Sequence, residues 1–380
     1  MSKIEEMIKR LCPNGVERVP VWKYTAWDKK FNAVDKSMQK SINKYKYLLA
    51  KDLEEIKDNS GDIRILYTTE EIAYTTEEKA GNYISEGEVI AIPWGGTPSV
   101  KYYKGRFITG DNRIATSIDT EKLSNKYLYY VLLDDIKTIS KFYRGAGIKH
   151  PSMYSILTLE IPLPPLTIQR EIVSVLDSFT TLIGKMKQEV VLRKKQMENY
   201  RIFLINQILT DKVSISSFTK ILRGKRLTKN MLSEDYAYPV FHGGNEPIGF
   251  YKEANREANS VMIINVGASA GTVGFCKSDF WSSDGCFCLQ KNDDVLDKYV
   301  YYALKNMEKQ IMSMVRNAGI PTLDSSAVEK VEIPLPSLST QRSIVSTLDA
   351  FEQYISKLER LITLREKQYA YYREKLLTFE

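Results

Sequence analysis

The chain is poor in the residues that most catalytic and metal centres require. Its 380 residues include two histidines, His150 and His242, and four cysteines, Cys12, Cys276, Cys286 and Cys288. So few cysteines argue against a disulfide framework and suit a reducing compartment. Two histidines this far apart exclude a zincin helix and a His-Asn-His nuclease. Cys286 and Cys288 share one face of an expected strand, with Cys276 ten residues before the first. They read as strand packing; metal ligation is the alternative and needs a fourth ligand, so no metal site is expected. No apolar run approaches the roughly 18–20 residues that cross a bilayer. The opening Met1-Ser-Lys-Ile-Glu-Glu lacks the apolar core of a signal peptide, so the expected location is the cytoplasm.

Motifs for nucleotides and group transfer are missing as well. There is no Gly-x-x-x-x-Gly-Lys-Ser/Thr loop, and no Gly-x-Gly-x-x-Gly follows an expected strand. The Asn-Pro-Pro-aromatic or Asp-Pro-Pro-aromatic tetrad of amino-methyltransferases does not occur. Glu55-Ile-Lys57 and Glu77-Glu-Lys79 carry half of a nuclease signature without the preceding Pro-Asp pair. Gly267-Ala-Ser-Ala-Gly271 has the spacing of a nucleophile elbow, yet no histidine follows Ser269, so it reads as a recognition or packing loop. The expectation is a chain with no catalytic residue and no cofactor of its own.

What is present is a mild positive charge and a repeat. With 54 Lys and Arg against 47 Asp and Glu, the formal charge is +7, which favours a polyanionic partner. Ile161-Pro-Leu-Pro-Pro-Leu-Thr-Ile-Gln-Arg170 returns as Ile333-Pro-Leu-Pro-Ser-Leu-Ser-Thr-Gln-Arg342, and Ile172-Val-Ser-Val-Leu-Asp-Ser-Phe179 as Ile344-Val-Ser-Thr-Leu-Asp-Ala-Phe351. Upstream, Arg144-Gly-Ala-Gly-Ile148 pairs with Arg316-Asn-Ala-Gly-Ile320; before that little similarity is expected to survive. The chain is two copies of one unit, each with a divergent first part and a similar second part.

The second part of each copy reads as a long helix. Pro162 and Pro164, and Pro334 and Pro336, favour extended backbone, and Thr167 and Ser339 suit N-caps. Ile172, Leu176, Phe179 and Ile183 then recur at alternating steps of four and three, as do Ile344, Leu348, Phe351 and Ile355. This is a heptad seam, interrupted at the equivalent Arg193 and Arg365. A seam of this kind on a helix of about 40 residues, roughly 60 Å long, requires cover. Two matching seams predict antiparallel pairing about a pseudo-twofold axis, with globular parts at opposite ends; packing of each helix on its own domain is the alternative. Arg193 and Arg365 either set register, meet a partner or reach to solvent.

The expected fold class is α+β, two mixed α/β domains and two long antiparallel coiled-coil helices in an internal pseudo-twofold repeat. Its expected segments are 1–165, a central helix 166–211, 212–337 and a C-terminal helix 338–380. Basic residues interleaved with aromatics suit phosphate contact and groove contact. In the first domain the candidate DNA-contacting residues are Trp94, Thr97, Lys101, Tyr102, Lys104 and Arg106, with Arg113, Arg144 and Lys149. In the second they are Arg223, Lys225, Arg226, His242, Asn245, Ser269 and Arg316.

The doubled Ile-Pro-Leu-Pro…Gln…Ile-Val…Leu-Asp signature, with Tyr238-Pro-Val-Phe-His-Gly-Gly244 and Gly267-Ala-Ser-Ala-Gly-Thr272, resembles the specificity subunit of type I restriction–modification systems. The resemblance covers the whole chain, although Asp62-Ile-Arg-Ile-Leu-Tyr67 stands where a Pro-Val-x-x-Gly-Gly pattern is expected in the first domain. It implies that each globular part is a target recognition domain reading one half of a split double-stranded DNA site, with the helices setting the gap. It also implies two methyltransferase subunits carrying S-adenosylmethionine and, where present, restriction subunits using ATP and Mg2+. The rival expectation from the residues alone is a protein-interaction scaffold that binds no DNA.

Overall fold

A computed structural model describes residues 3–317 and 319–379. Ala318, which the repeat pairs with Ala146, lies outside the described residues, as do Met1, Ser2 and Glu380 of the expected first and last segments. The chain forms two compact units, Met1–Lys185 with Ile362–Glu380, and Met186–Leu361.

In the first unit, runs rich in Ile, Val, Tyr and Thr build a six-stranded sheet in the order Thr25–Trp27, Asn112–Ser117, Ser85–Pro93, Lys101–Thr109, Ile63–Leu66, Ile72–Thr75. Its pairs are antiparallel except the one between Ile63–Leu66 and Lys101–Thr109. The helix Asn125–Asp134, capped by Ser124, covers the sheet. Arg18–Pro20 pairs antiparallel with Glu160–Pro162, so the proline-rich signature is a short two-stranded neck where a missing backbone donor is tolerated.

The second unit has a four-stranded antiparallel sheet in the order Ile221–Leu222, Cys286–Leu289, Ser260–Ile264, Val273–Cys276. A three-stranded sheet, Phe250–Tyr251, Tyr238–Phe241, Trp281–Ser282, stands with it. The helix Asp297–Asn306 packs over the larger sheet, and Lys212–Ser214 pairs with Glu332–Pro334 as the equivalent neck. Cys276, Cys286 and Cys288 are buried here among Phe241, Met262, Ile264 and Phe280.

The long helices are Leu166–Asn206 and Leu338–Thr378, 41 residues each. They begin one residue before the expected caps, because Pro165 and Ser337 open the first turn. The Ser337 hydroxyl, not that of Ser339, accepts from the Thr340 amide (3.4 Å). Gln169 and Gln341 fasten the two starts. The Gln169 amide group donates to the Lys122 and Pro164 carbonyls and accepts from the Ser124 amide; that of Gln341 donates to Pro336 O and accepts from Leu296 N. Both side chains are buried, which explains why the glutamine recurs with the prolines.

The expected antiparallel pairing and its alternative, packing on the globular part, share the seam. In the first unit Ile172 and Leu176 enter one core with Tyr127, Leu128 and Val131 of the globular part and with Leu376 and Leu377 from the end of the second long helix. Ile344 and Leu348 do the same in the second unit with Tyr299, Val300 and Ile205. Fully burying such a side chain contributes about 1.5–3 kcal/mol. Phe179 lies against Tyr369 and Tyr372, and Phe351 against Tyr200. Ile183 and Ile355 are buried. In each unit the start of one long helix therefore meets the end of the other, an antiparallel arrangement. Arg193 and Arg365 bond along their own helices: Arg193 donates to Glu189 and Gln196 (2.7 Å each), and Arg365 to Gln368 (2.7 Å); Arg193 also lies 5.7 Å from the Tyr354 ring on the other long helix. Among the described residues no helix is long and apolar enough to cross a membrane.

Candidate nucleic-acid interface

In the first unit two loops meet at one end of the sheet. Residues 94–99 follow the strand Ser85–Pro93, and residues 144–150 close a hairpin whose arms are Tyr143–Arg144 and His150–Pro151. The Gly96 amide donates to Lys149 O (3.1 Å), His150 Nδ1 lies 2.7 Å from Trp94 O, and the Tyr143 hydroxyl donates to Pro93 O (2.8 Å). A Cβ on Gly95 would fall 2.9 Å from Ile148 Cγ2 and 3.2 Å from the His150 ring, so a larger residue there would push these side chains aside. The pairing brings together Trp94, Thr97, Arg144 and Lys149. Thr97, Arg144 and Lys149 are exposed, and Trp94 is half-buried.

The second unit gathers its candidates along a chain of backbone bonds. Lys225 N donates to Ser282 O (2.9 Å), Gly243 N and Asn265 N reach Gly285 O, and Gly267 N donates to Pro321 O (2.9 Å). Gly224 is obligatory, since a Cβ there would sit 1.8 Å from Ser283 O. Exposed Arg223, Lys225, Arg226, His242 and Asn245 follow this line, with half-buried Ser269 and exposed Arg316 at its far end. His242 Nδ1 accepts from the Gly285 amide (3.2 Å) and stands 3.1 Å from Asp284. Arg316 is held 2.7 Å from Asp324, and Arg223 donates to the Ser325 hydroxyl (3.2 Å), so both brace loops.

Several candidates lie elsewhere. Arg113 is 2% exposed; its guanidinium is paired with Asp28 (2.8 Å) and Asp111 and lies 4.8 Å from the Trp94 ring. It cannot reach a ligand, and its role is to pin the strand under the loop. Burial raises the Asp28 carboxyl pKa even against the Arg113 charge. A strand sends alternate side chains to opposite faces, so Lys101 parts from Tyr102, Lys104 and Arg106. Lys101 is half-buried, donating to Tyr67 O (2.6 Å), and burial brings its pKa down to about 8. The Tyr102 hydroxyl donates to Glu88 (2.7 Å), Lys104 is 3.4 Å from Glu88, and Arg106 is 2.7 Å from Glu77. These four are occupied by internal partners.

Two features escape the sequence reading. Exposed Lys29 lies 5.3 Å from the Trp94 ring, and exposed Lys30 follows it; the signal is a lysine pair between Trp27 and Phe31. The repeat also extends further upstream than expected. Lys126-Tyr-Leu-Tyr-Tyr130 and Lys298-Tyr-Val-Tyr-Tyr302 are equivalent at the same offset, and lie on equivalent helices. Tyr127 and Tyr299 donate to Pro162 O (3.1 Å) and Pro334 O (2.5 Å), tying the helix to the neck in both units.

Comparison with known proteins agrees with this doubled architecture. The profile of the type I restriction modification DNA specificity domain matches residues 31–193 and 209–366. A type I restriction enzyme specificity subunit of Haemophilus influenzae is 28% identical over 339 residues, 81% of this chain and 87% of that protein. The specificity subunit of the EcoR124I/EcoR124II type I restriction enzyme of Escherichia coli is 27% identical over 314 residues, 70% of this chain and 74% of its own. In fold, the chain resembles the crystal structure of a type I restriction–modification S subunit from M. genitalium, with a TM-score of 0.67 at 18% identity, covering 96% of this chain and 97% of that one. With two copies of the domain matched across most of its length, the chain belongs to the type I restriction modification DNA specificity family.

Proposed function

We propose that this chain is the sequence-reading subunit of a type I restriction–modification complex. Each globular part reads one half of a split DNA site, and the long helices fix the gap. The observation that carries the reading is the contrast within the repeat. The devices that fasten each globular part to its helix recur, as does the Arg144/Arg316 position, whereas the other exposed loop residues differ: Trp94, Thr97 and Lys149 in one, Arg223, Lys225, Arg226, His242 and Asn245 in the other. Unlike loops on like mounts suit a bipartite, asymmetric target. Basic side chains fix register on phosphates and a few polar groups read base edges.

The chain itself catalyses nothing in this reading. Two methyltransferase subunits supply S-adenosylmethionine and the methyl transfer, restriction subunits, where present, supply ATP-driven cleavage with Mg2+, and the assembly works on cytoplasmic DNA. The test is to sequence the methylated positions in a host that carries the chain with its methyltransferase subunits. A split motif that disappears when this chain is deleted is the expected result. Robust methyl transfer by the isolated chain, or binding to duplex DNA that does not weaken with salt, contradicts it.

A further inference from the structure

Lys126 and Lys298 stand where three layers of their units meet. In the first unit, Lys126 Nζ is 4.1 Å from the centre of the Tyr102 ring, on the sheet strand Lys101–Thr109. It is 5.8 Å from the rings of Tyr129 and Tyr130 on its own helix, and 3.3 Å from Asp177 on the first long helix. Tyr102 is anchored to Glu88 of the neighbouring strand, and the Tyr130 hydroxyl donates to Asp177. In the second unit, Lys298 Nζ is 4.5 Å from the Phe275 ring on the sheet strand Val273–Cys276 and about 5 Å from Tyr301 and Tyr302. On the second long helix it meets Glu352 (3.0 Å) and Asp349 (3.8 Å), and the Tyr302 hydroxyl donates to Asp349 (2.8 Å).

The two nodes share their geometry more closely than their sequence. The lysine, the helix tyrosines and the aspartate keep the 172-residue offset, but the sheet aromatic is Tyr102 in one unit and Phe275 in the other, an offset of 275 − 102 = 173. The globular parts have diverged, and a different sheet position supplies the ring each time. Apolar packing between layers is non-directional and permits small rotations. A cation held on a ring face in one layer and on a carboxylate in another permits one arrangement, and partial burial strengthens both contacts. A reader of a split site needs such a joint, because a small tilt of the globular part on its helix moves the base-reading loops along the DNA.

We propose that Lys126 and Lys298 are positioning residues that lock each recognition domain to its long helix and so set how strictly the gap between half-sites is measured. The inference rests on the recognition reading above. The test uses the chain in complex with its methyltransferase subunits and a plasmid library carrying the half-sites at gaps of the native length and one base pair either side. Lys126→Met and Lys298→Met keep the aliphatic stem and remove the cation. Each is expected to raise methylation at off-length gaps relative to the native gap about tenfold, a change in one equilibrium of ordinary size, with the half-site bases unchanged.

Val131→Ala, which removes core volume from the same helix, is expected to lower the melting temperature and leave that ratio alone. An unchanged ratio in folded Lys→Met variants, or an equal change in Val131→Ala, overturns the proposal. In the free chain, the distance between spin labels at Thr97 and Ser178 is expected to broaden in Lys126→Met; equal widths overturn it too. The labels report on the joint even where the wild-type complex directs no methylation, so failure of the recognition reading and failure of the joint are told apart.

Discussion

Phe179 stacks on Tyr372, with ring centroids 5.6 Å apart and planes 28° from parallel. The same pair exists with the helices exchanged, as Phe351 on Tyr200 at 5.4 Å. The contact thus recurs within each unit, with the helix that gives the phenylalanine exchanged. A double-mutant cycle with Phe179→Ala and Tyr372→Ala is expected to give a coupling of about 0.5–1.5 kcal/mol in urea denaturation. A coupling of zero would mean that the rings touch without contributing to pairing.

Arg113 and Arg144 separate fold from recognition. Arg113 is buried between two carboxylates, so Arg113→Met is expected to cost about 3 kcal/mol of stability by leaving Asp28 unpaired. It should leave the salt dependence of DNA binding unchanged. Arg144 is exposed beside Lys149, so Arg144→Ala is expected to leave the melting temperature alone and reduce the slope of log K against log salt by about 1. Salt titrations of both variants check the pair of outcomes; the reverse assignment would invalidate the interface.

Glu352 carries a pH dependence of definite sign. Burial pushes its carboxyl pKa up, but Lys298 and Lys277 outweigh burial and hold it below the ordinary 4.5. A folded-state pKa below the unfolded one gives stability that is present above the unfolded value and lost as pH falls through the folded one. Glu352→Gln is therefore expected to cost about 1–2 kcal/mol at neutral pH, and progressively less below pH 4.5, where the wild-type carboxyl also protonates. Thermal melts of both proteins across that range give the comparison.

Helix length should be read out as DNA length. One heptad inserted into each long helix, at the equivalent positions near Met197 and Tyr369, keeps the seam in phase. It adds about 10 Å of helix, or about three base pairs at roughly 3.4 Å each. Three base pairs turn the duplex by roughly 100°. Methylome sequencing is therefore expected to show a longer gap with the same half-sites, or no methylation at all. The same gap with altered half-site bases would remove the helices from the role of ruler.

The long helices, the extended approach to each and the doubling are legible in the sequence because heptad spacing and proline chemistry act over a few residues; the strands that close the necks are not, since each pairs with a segment more than a hundred residues away. The burial of Arg113 is not legible, since its partner Asp28 is 85 residues away. The basic run from Lys101 to Arg106 misleads because its partners are distant in sequence: alternation sends Lys101 to the other face, while Glu88 takes Tyr102 and Lys104 and Glu77 takes Arg106. The Lys-Tyr-x-Tyr-Tyr match escapes notice because its flanks differ, Asn125 against Asp297 and Val131 against Ala303. Its meaning lies in contacts to Asp177 and Asp349 some fifty residues on.

The two-stranded necks have a consequence for how much sequence change the globular parts tolerate. Each globular part enters and leaves through one strand pair, Arg18–Pro20 with Glu160–Pro162 or Lys212–Ser214 with Glu332–Pro334. A foreign insert that begins and ends on such a pair closes the same hinge-free doorway, whatever it carries between. Ile161–Arg170 and Ile333–Arg342 repeat the same Pro-rich entry to the helix, so both doorways offer the same frame. A globular part of altered sequence that keeps these strand ends keeps its footing on the helix, because the pairing is made by backbone groups rather than by side chains.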